Sequence, residues 1–285
     1  SGKTKVLTSR IAHIIKSKKA YPNQILSVTF TNKASQEMQT RVSSMLKKEA
    51  IGLSWLGTFH SVSAKILRKH AGAVGLNSNF SIIDQDDQIR LIKNICKSEN
   101  IDIKKLAPNY ILSVINNWKN KGLYPEKVTL NKKNIFEKGI LNIYKIYQSK
   151  LIDLNACDFG DLILHCVNIF ENNKDILEIY SNNFKYILVD EYQDTNFIQS
   201  KWLNFLAKKH NNICCVGDDD QSIYSWRGAE IKNFLEFDKV YENTKIVRLE
   251  KNYRSTQNIL EVASELISNN QNRVGKNLET TKNTG

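Results

Sequence analysis

Apolar positions along the chain follow two rhythms. Ile25–Phe30, Tyr186–Val189, Ile213–Val216 and Ile246–Leu249 are apolar runs of strand length, and runs such as Tyr186–Val189 are continuous instead of alternating, as in strands covered on both faces. Most of the stretches between them repeat with helical spacing, as do Val6, Leu7, Ile11, Ile14 and Ile15 near the start. Strands alternating with helices predict an α/β fold with a parallel sheet. Between 77 and 172 the strand signal nearly vanishes. There Phe159, Leu162, Ile163, Cys166, Val167 and Phe170 line one helical stripe, and Ile89, Ile92, Ile95 and Cys96 line another. Asp84 and Asp86 precede that second stripe and can cap a helix start. The expected organisation is a sheet domain, 1–76 and 173–250, interrupted by an all-α subdomain at 77–172. The polar stretch 270–285 lacks periodicity and is expected to be loosely held.

Composition narrows the class. With 285 residues, 41% hydrophobic, 25% charged and only 12 glycines and 3 prolines, the chain is neither disordered nor fibrous. No apolar run approaches the ~18 residues of a membrane-spanning helix, and the opening residues lack the hydrophobic core of a secretory signal, so a soluble protein is expected. Five cysteines without a CxxC pair encode neither a zinc site nor a disulfide framework and suit a reducing, cytoplasmic setting. Cys166, Cys214 and Cys215 read as buried, inert thiols. The net charge of +12 favours polyanionic partners, and 101–150 holds ten lysines against three acids (Asp102, Glu126, Glu137). That segment is a candidate nucleic-acid surface or, on charge alone, a solvated helical face.

Three clusters carry candidate chemistry. Ser1-Gly2-Lys3-Thr4 is the second half of the pattern GxxxxGK[ST], placed directly before a helix. Amides at such a start cradle phosphate, the lysine reaches the β- and γ-phosphates and the hydroxyl ligates Mg²⁺. Tyr186–Val189 runs into Asp190-Glu191, two carboxylates where an open α/β sheet binds its ligands; one acid can hold Mg²⁺ through water while the other deprotonates an attacking water. Val216–Ala229 is again a strand exit with acids, and it adds Gln221, which can reach a terminal phosphate, and Tyr224, Trp226 and Arg227, whose planes can stack on bases. Alternatively, Trp226 is a core anchor.

Six ordered motifs, SGKT, TFTNKA (Thr29–Ala34), GTFHS (Gly57–Ser61), LVDEYQDTN (Leu188–Asn196), VGDDDQSIYSWRGA (Val216–Ala229) and LEKNYRST (Leu249–Thr256), closely resemble those of the UvrD/PcrA/Rep superfamily 1 DNA helicases. The resemblance covers nearly the whole chain and implies a RecA-like P-loop NTPase sheet with an inserted all-α subdomain. It further implies an ATP-driven, Mg²⁺-dependent motor moving 3′ to 5′ on single-stranded DNA and at duplex junctions, with repair or replication proteins as partners. Carried over by motif, Gly2, Lys3, Thr4 and Lys5 bind nucleotide, Thr4 and Asp190 hold Mg²⁺, and Glu191 is the catalytic base. Gln221 senses the γ-phosphate, Tyr253 stacks on adenine and Arg254 is an arginine finger. Phe30, Asn32, Thr58, His60, Tyr224, Trp226 and Arg227 line the DNA strand, although Phe30 alone would read as core. Residues 251–285 are then the start of a second motor domain.

This chain departs from that pattern in places. Lys5 stands where an arginine usually faces adenine, and a lysine cannot offer the same planar contact. Gly160 in CDFGDL replaces a usual acid. The first half of the P-loop and its strand are not in this chain, so Ser1–Thr4 are expected to lack an anchor, the sheet to expose edges, and residues 1–285 alone to lack ATPase activity. Two other readings are a non-catalytic single-strand-binding module and the motor part of a helicase–nuclease.

Overall fold

Continuous apolar runs form the interior of a parallel sheet here. The computed structural model describes residues 1–47, 52–130, 135–270, 275–276, 278–280 and 282. They form two units, Ser1–Thr58 with Asn182–Thr195 and Ala207–Gly285, and Phe59–Ser181 with Asn196–Leu206. In chain order, α1 (Lys3–Lys16), β1 (Ile25–Thr29), α2 (Asn32–Leu46) and β2 (Leu56–Thr58) open the first unit. The second contains α3 (Phe59–His70), β3 (Ser81–Ile82), α4 (Gln85–Ser98), α5 (Pro108–Asn120), α6 (Ile135–Asp153), β4 (Ala156–Cys157) and α7 (Phe159–Asn172). After α8 (Lys174–Asn183) and β5 (Tyr186–Val189) come α9 (Phe197–Ala207), β6 (Ile213–Cys215), α10 (Ile231–Leu235) and α11 (Phe237–Val240). The last elements are β7 (Lys251–Asn252), α12 (Gln257–Ser268) and β8 (Glu279–Thr280).

The first unit is a parallel sheet in the order β2-β1-β5-β6, with Val28 beside both Gly57 and Val189. Every residue of β1 is buried, including Ser27 and Thr29, whose hydroxyls donate to Met38 Sδ and to Thr31 O, both at 3.1 Å. Leu7, Ile11, Ile14 and Ile15 from α1 and Met38, Val42 and Leu46 from α2 pack with Ile25 and Leu188 in one cluster. At about 1.5–3 kcal/mol per buried aliphatic side chain, this cluster is what fixes both helices against the sheet. Thr31 starts α2, its Oγ1 accepting from the Ala34 amide at 3.1 Å.

Ile246–Leu249, expected as a strand, is not one. A parallel strand exists only through its ladder, and among the described residues no strand pairs with this run; Ile246 and Val247 stay 68% and 67% exposed. Short pairing occurs instead between β7 and β8. That pairing includes Glu279 and Thr280 from the stretch expected to be loose; 271–274, 277, 281 and 283–285 of it lie outside the described residues. β6 is half-buried along its length and, among the described residues, pairs on one side only.

The second unit is helical, apart from the two-residue parallel pair β3–β4. Ile92, Ile95 and Cys96 of α4 meet Ile111, Leu112 and Ile115 of α5 and Ile140, Ile143, Tyr144 and Tyr147 of α6. Asp84, not Asp86, caps α4, accepting from the Asp87 amide at 2.9 Å. α7 is buried on nearly every face after Phe159, which is itself 51% exposed. Its N-terminus is closed by a reciprocal box in which Asp158 accepts from the Asp161 amide and Asp161 from the Asp158 amide.

Lys119 leaves the expected basic surface and turns inward. It is fully buried, its Nζ 2.6 Å from Asp158 and 2.7 Å from Asp161, while Tyr147 Oη and Gln148 Nε2 donate to the same carboxylates. Burial would raise both acids; at Asp161 the ammonium outweighs it and holds the carboxyl low, whereas burial and the Asp161 charge push Asp158 up. Gly160 is explained by the same contact, since a Cβ there would stand 2.9 Å from Lys119 Cδ. Lys119→Met leaves two buried carboxylates without a counter-charge and is expected to cost about 3–5 kcal/mol, read from urea unfolding of the second unit. Adding Asp158→Asn should recover part of that loss.

Candidate nucleotide site and nucleic-acid surface

The sheet sends its strand exits to one edge, and the candidate residues of the first unit gather there. Gly2 stands before α1 at φ 99°, a left-handed conformation that glycine alone adopts without strain, so Lys3 and Thr4 fall on the first helical turn. Lys3 Nζ donates to Glu191 Oε2 at 2.8 Å and to Gln221 Oε1 at 3.4 Å. Thr4 Oγ1 donates to Asp190 Oδ2 at 3.1 Å. Lys5 is exposed, and its carbonyl accepts from Thr8 Oγ1 at 3.1 Å. Ser1, expected to lack an anchor, accepts from the Tyr253 amide through its Oγ at 2.8 Å.

Asp190 is 4% exposed and prolongs the ladder, its amide donating to Val28 O at 3.0 Å. Burial, and then the charge of Glu191, raise its carboxyl, opposed by the Thr4 hydroxyl. Glu191 sits at φ 50°, ψ 44°, a left-handed conformation that costs a non-glycine residue about 1–3 kcal/mol and that no sequence pattern announced. Two hydrogen bonds sustain it: its amide donates to Asp190 Oδ1 at 3.1 Å and its carbonyl accepts from the Asp194 amide at 3.0 Å. Thr4 Oγ1 and Asp190 Oδ2 are hard oxygen donors near the separation of neighbouring ligands on one Mg²⁺, about 3.0 Å for octahedral metal–oxygen bonds near 2.1 Å, so these residues fit that ion.

Beyond β6, Asp218 accepts from Gln221 Nε2 at 2.6 Å. Lys276 pairs with Asp218 and, at 3.2 Å, with Asp220. Sequence reasoning missed Lys276, one of three bases in a polar stretch, and gave Gln193 no role, although its buried amide contacts Glu191, Asp194 and the Asp218 amide. Tyr253 and Arg254 are not drawn into the carboxylate cluster. The Tyr253 ring is 59% exposed, the Arg254 amide donates to Asn252 Oδ1 at 2.8 Å, and among the described residues neither side chain hydrogen-bonds Lys3, Asp190, Glu191 or Gln221.

The proposed strand-binding residues occupy the same kind of position. Phe30 is half-buried just after β1, Asn32 is exposed on the first turn of α2, and Thr58 closes β2, buried. Trp226 is 73% exposed, which excludes a core role. Tyr224 lies 6.4 Å from it, and the Arg227 guanidinium sits 5.3 Å from the Tyr224 ring centre and 4.7 Å from that of Trp226. In the second unit His60 opens α3 edge-on to Phe159, 5.8 Å between ring centres, with burial lowering its pKa. Cys166 is buried and its thiol, pushed up to about 12 by burial, donates to Ser63 O, so it is inert.

This parallel sheet, flanked by helices and interrupted by a helical unit, has the fold of a RecA-like P-loop nucleoside triphosphatase. Residues 1–242 match the UvrD/REP helicase N-terminal domain and residues 247–285 the UvrD-like helicase C-terminal domain. The chain belongs to the UvrD/Rep helicase family. Over its whole length it is 50% identical to "Probable DNA helicase II homolog" of Rickettsia conorii, 48% to "DNA helicase II" of Rickettsia typhi and 46% to "ATP-dependent DNA helicase PcrA" of Bacillus subtilis. It spans 44% of the length of each Rickettsia protein and 38% of the Bacillus one. Among the described residues no helix is long and apolar enough to cross a membrane.

Burial, then the neighbouring Glu191 charge, push the Asp194 carboxyl up to about 6, with Lys3 opposing. Carbon-13 carboxyl NMR should therefore find Asp194 titrating well above an ordinary aspartate. Glu191→Gln removes the repelling charge and should move that titration to lower pH.

Proposed function

We propose that this chain is the ATP-binding portion of a DNA helicase that travels 3′ to 5′ along single-stranded DNA. The observation that carries this reading is the meeting of Lys3 with Glu191 and Gln221, residues 188 and 218 positions away, beside the Thr4–Asp190 contact. The relatives agree with it, each being named a DNA helicase or a probable homologue of one, and the Bacillus protein an ATP-dependent one.

In this reading the Lys3 ammonium exchanges Glu191 for the phosphates of ATP, bound at the start of α1. Release of Lys3 frees the Glu191 carboxylate to take a proton from the attacking water. Mg²⁺, when bound, neutralises phosphate charge, and Thr4 and Asp190 are the residues that would hold it. Gln221, already within reach of Lys3, reports on the terminal phosphate, and its loop leads in six residues to Arg227. Nucleotide state is thereby linked to Tyr224 and Trp226, which stack on bases of any sequence. Arg254 completes the site as an arginine finger and Tyr253 stacks on adenine once the second motor domain closes.

In the protein at the full length of its relatives, Glu191→Gln should retain ATP binding while turnover falls by about 10²-fold or more, because the amide keeps the shape and cannot accept a proton. Equal losses of affinity and turnover, measured by nucleotide titration and steady-state hydrolysis, would refute the base assignment.

Trp226→Ala should weaken single-stranded DNA binding by about 1–3 kcal/mol with little dependence on base sequence. Fluorescence anisotropy at several salt concentrations checks this; an unchanged affinity removes Trp226 from the DNA surface.

A further inference from the structure

Gln193 is 1% exposed, an unusual place for an amide with four hydrogen-bonding positions. Its Nε2 donates to Glu191 Oε2 at 3.0 Å and to Asp194 Oδ2 at 3.3 Å, and its Oε1 accepts from the Asp218 amide at 3.0 Å. Asp218 accepts in turn from Gln221 Nε2 at 2.6 Å, and Gln221 Oε1 accepts from Lys3, which is paired with Glu191. Lys3, Glu191, Gln193, Asp218 and Gln221 therefore form a closed ring of hydrogen bonds. In it, Gln193 links the exit of β5 to the exit of β6.

The backbone is shaped to admit this amide. A Cβ at Gly217 would lie 2.7 Å from Gln193 Oε1 and 2.6 Å from Phe234 Cε2, so only glycine lets the β6 exit close over Gln193. A buried amide so enclosed cannot trade its partners for water, and losing one leaves the other polar group unsatisfied.

We infer that Gln193 is a positioning residue which couples the Glu191 carboxylate to the loop carrying Gln221, so that the base and the phosphate-reading side chain are set together. The inference rests on the nucleotide-site reading above. It goes further in assigning the coupling to a residue that is expected to touch neither nucleotide nor DNA.

The test uses Gln193→Met, which keeps length and removes both halves of the amide, and Gln193→Glu, which keeps the acceptor for the Asp218 amide and loses the donor to Glu191. In the protein at the full length of its relatives, Gln193→Met should lower kcat for DNA-stimulated ATP hydrolysis at least tenfold while the KM for ATP changes less than twofold. Gln193→Glu should also lower kcat. Added to Gln221→Ala, Gln193→Met should cost far less than it does alone, since residues acting as one unit are not additive. A parallel fall in kcat and ATP affinity, or full additivity with Gln221→Ala, overturns the inference. If the unsubstituted protein hydrolyses no ATP, the functional reading fails, and the coupling is still decided by hydrogen exchange. Gln193→Met should then deprotect the amides of 217–221 while those of β1 and β5 remain protected; unchanged protection at Asp218 overturns the coupling as well.

Discussion

Parallel strands end on the same side of their sheet, and everything chemical in the first unit depends on that polarity. β1, β2, β5 and β6 deliver Phe30, Thr58, Asp190 and the Asp218–Arg227 loop to one edge, and α1 brings Lys3 and Thr4 to meet the exit of β5. The aliphatic cluster under α1 and α2 matters because it holds that helix start at a fixed height. Without the packing, the Lys3–Glu191 pair is a half-exposed ion pair of little worth. With it, the two side chains are held within 2.8 Å of one another.

Much of this was legible in the sequence, and for a physical reason. Strands covered by helices are mostly apolar, so β1, β5 and β6 announce themselves, as do the helices with their stripes. The failures share a cause too: pairing and burial partners are tertiary. Ile246–Leu249 has the composition of a strand and no neighbour, whereas β2, only three residues long, is a strand because β1 lies beside it. Lys119 looked like any other lysine of a basic segment until two aspartates 39 and 42 positions away enclosed it. The same holds for Gln193, which motif reading passed over as a polar residue after two acids.

The two units solve the problem of buried charge differently. Around Lys119 the two carboxylates and the ammonium are shut away and paired, an arrangement that favours one geometry of α5, α6 and α7 over its neighbours. Around Lys3 the groups are partly exposed and the carboxylate bearer is held in a strained backbone. The first arrangement suits a scaffold. The second suits a site whose partners change.

The exposure of Trp226 has an optical consequence. Of the four tryptophans, Trp202 is fully buried, Trp55 is 7% exposed and Trp118 is half-buried against Tyr144, which leaves Trp226 alone facing solvent beside a guanidinium. Its indole emission should lie to the red of the other three and be the fraction reached first by a collisional quencher such as iodide. The molecule thus carries its own fluorophore on one defined loop, and the colour of its emission reports the surroundings of that loop without any label.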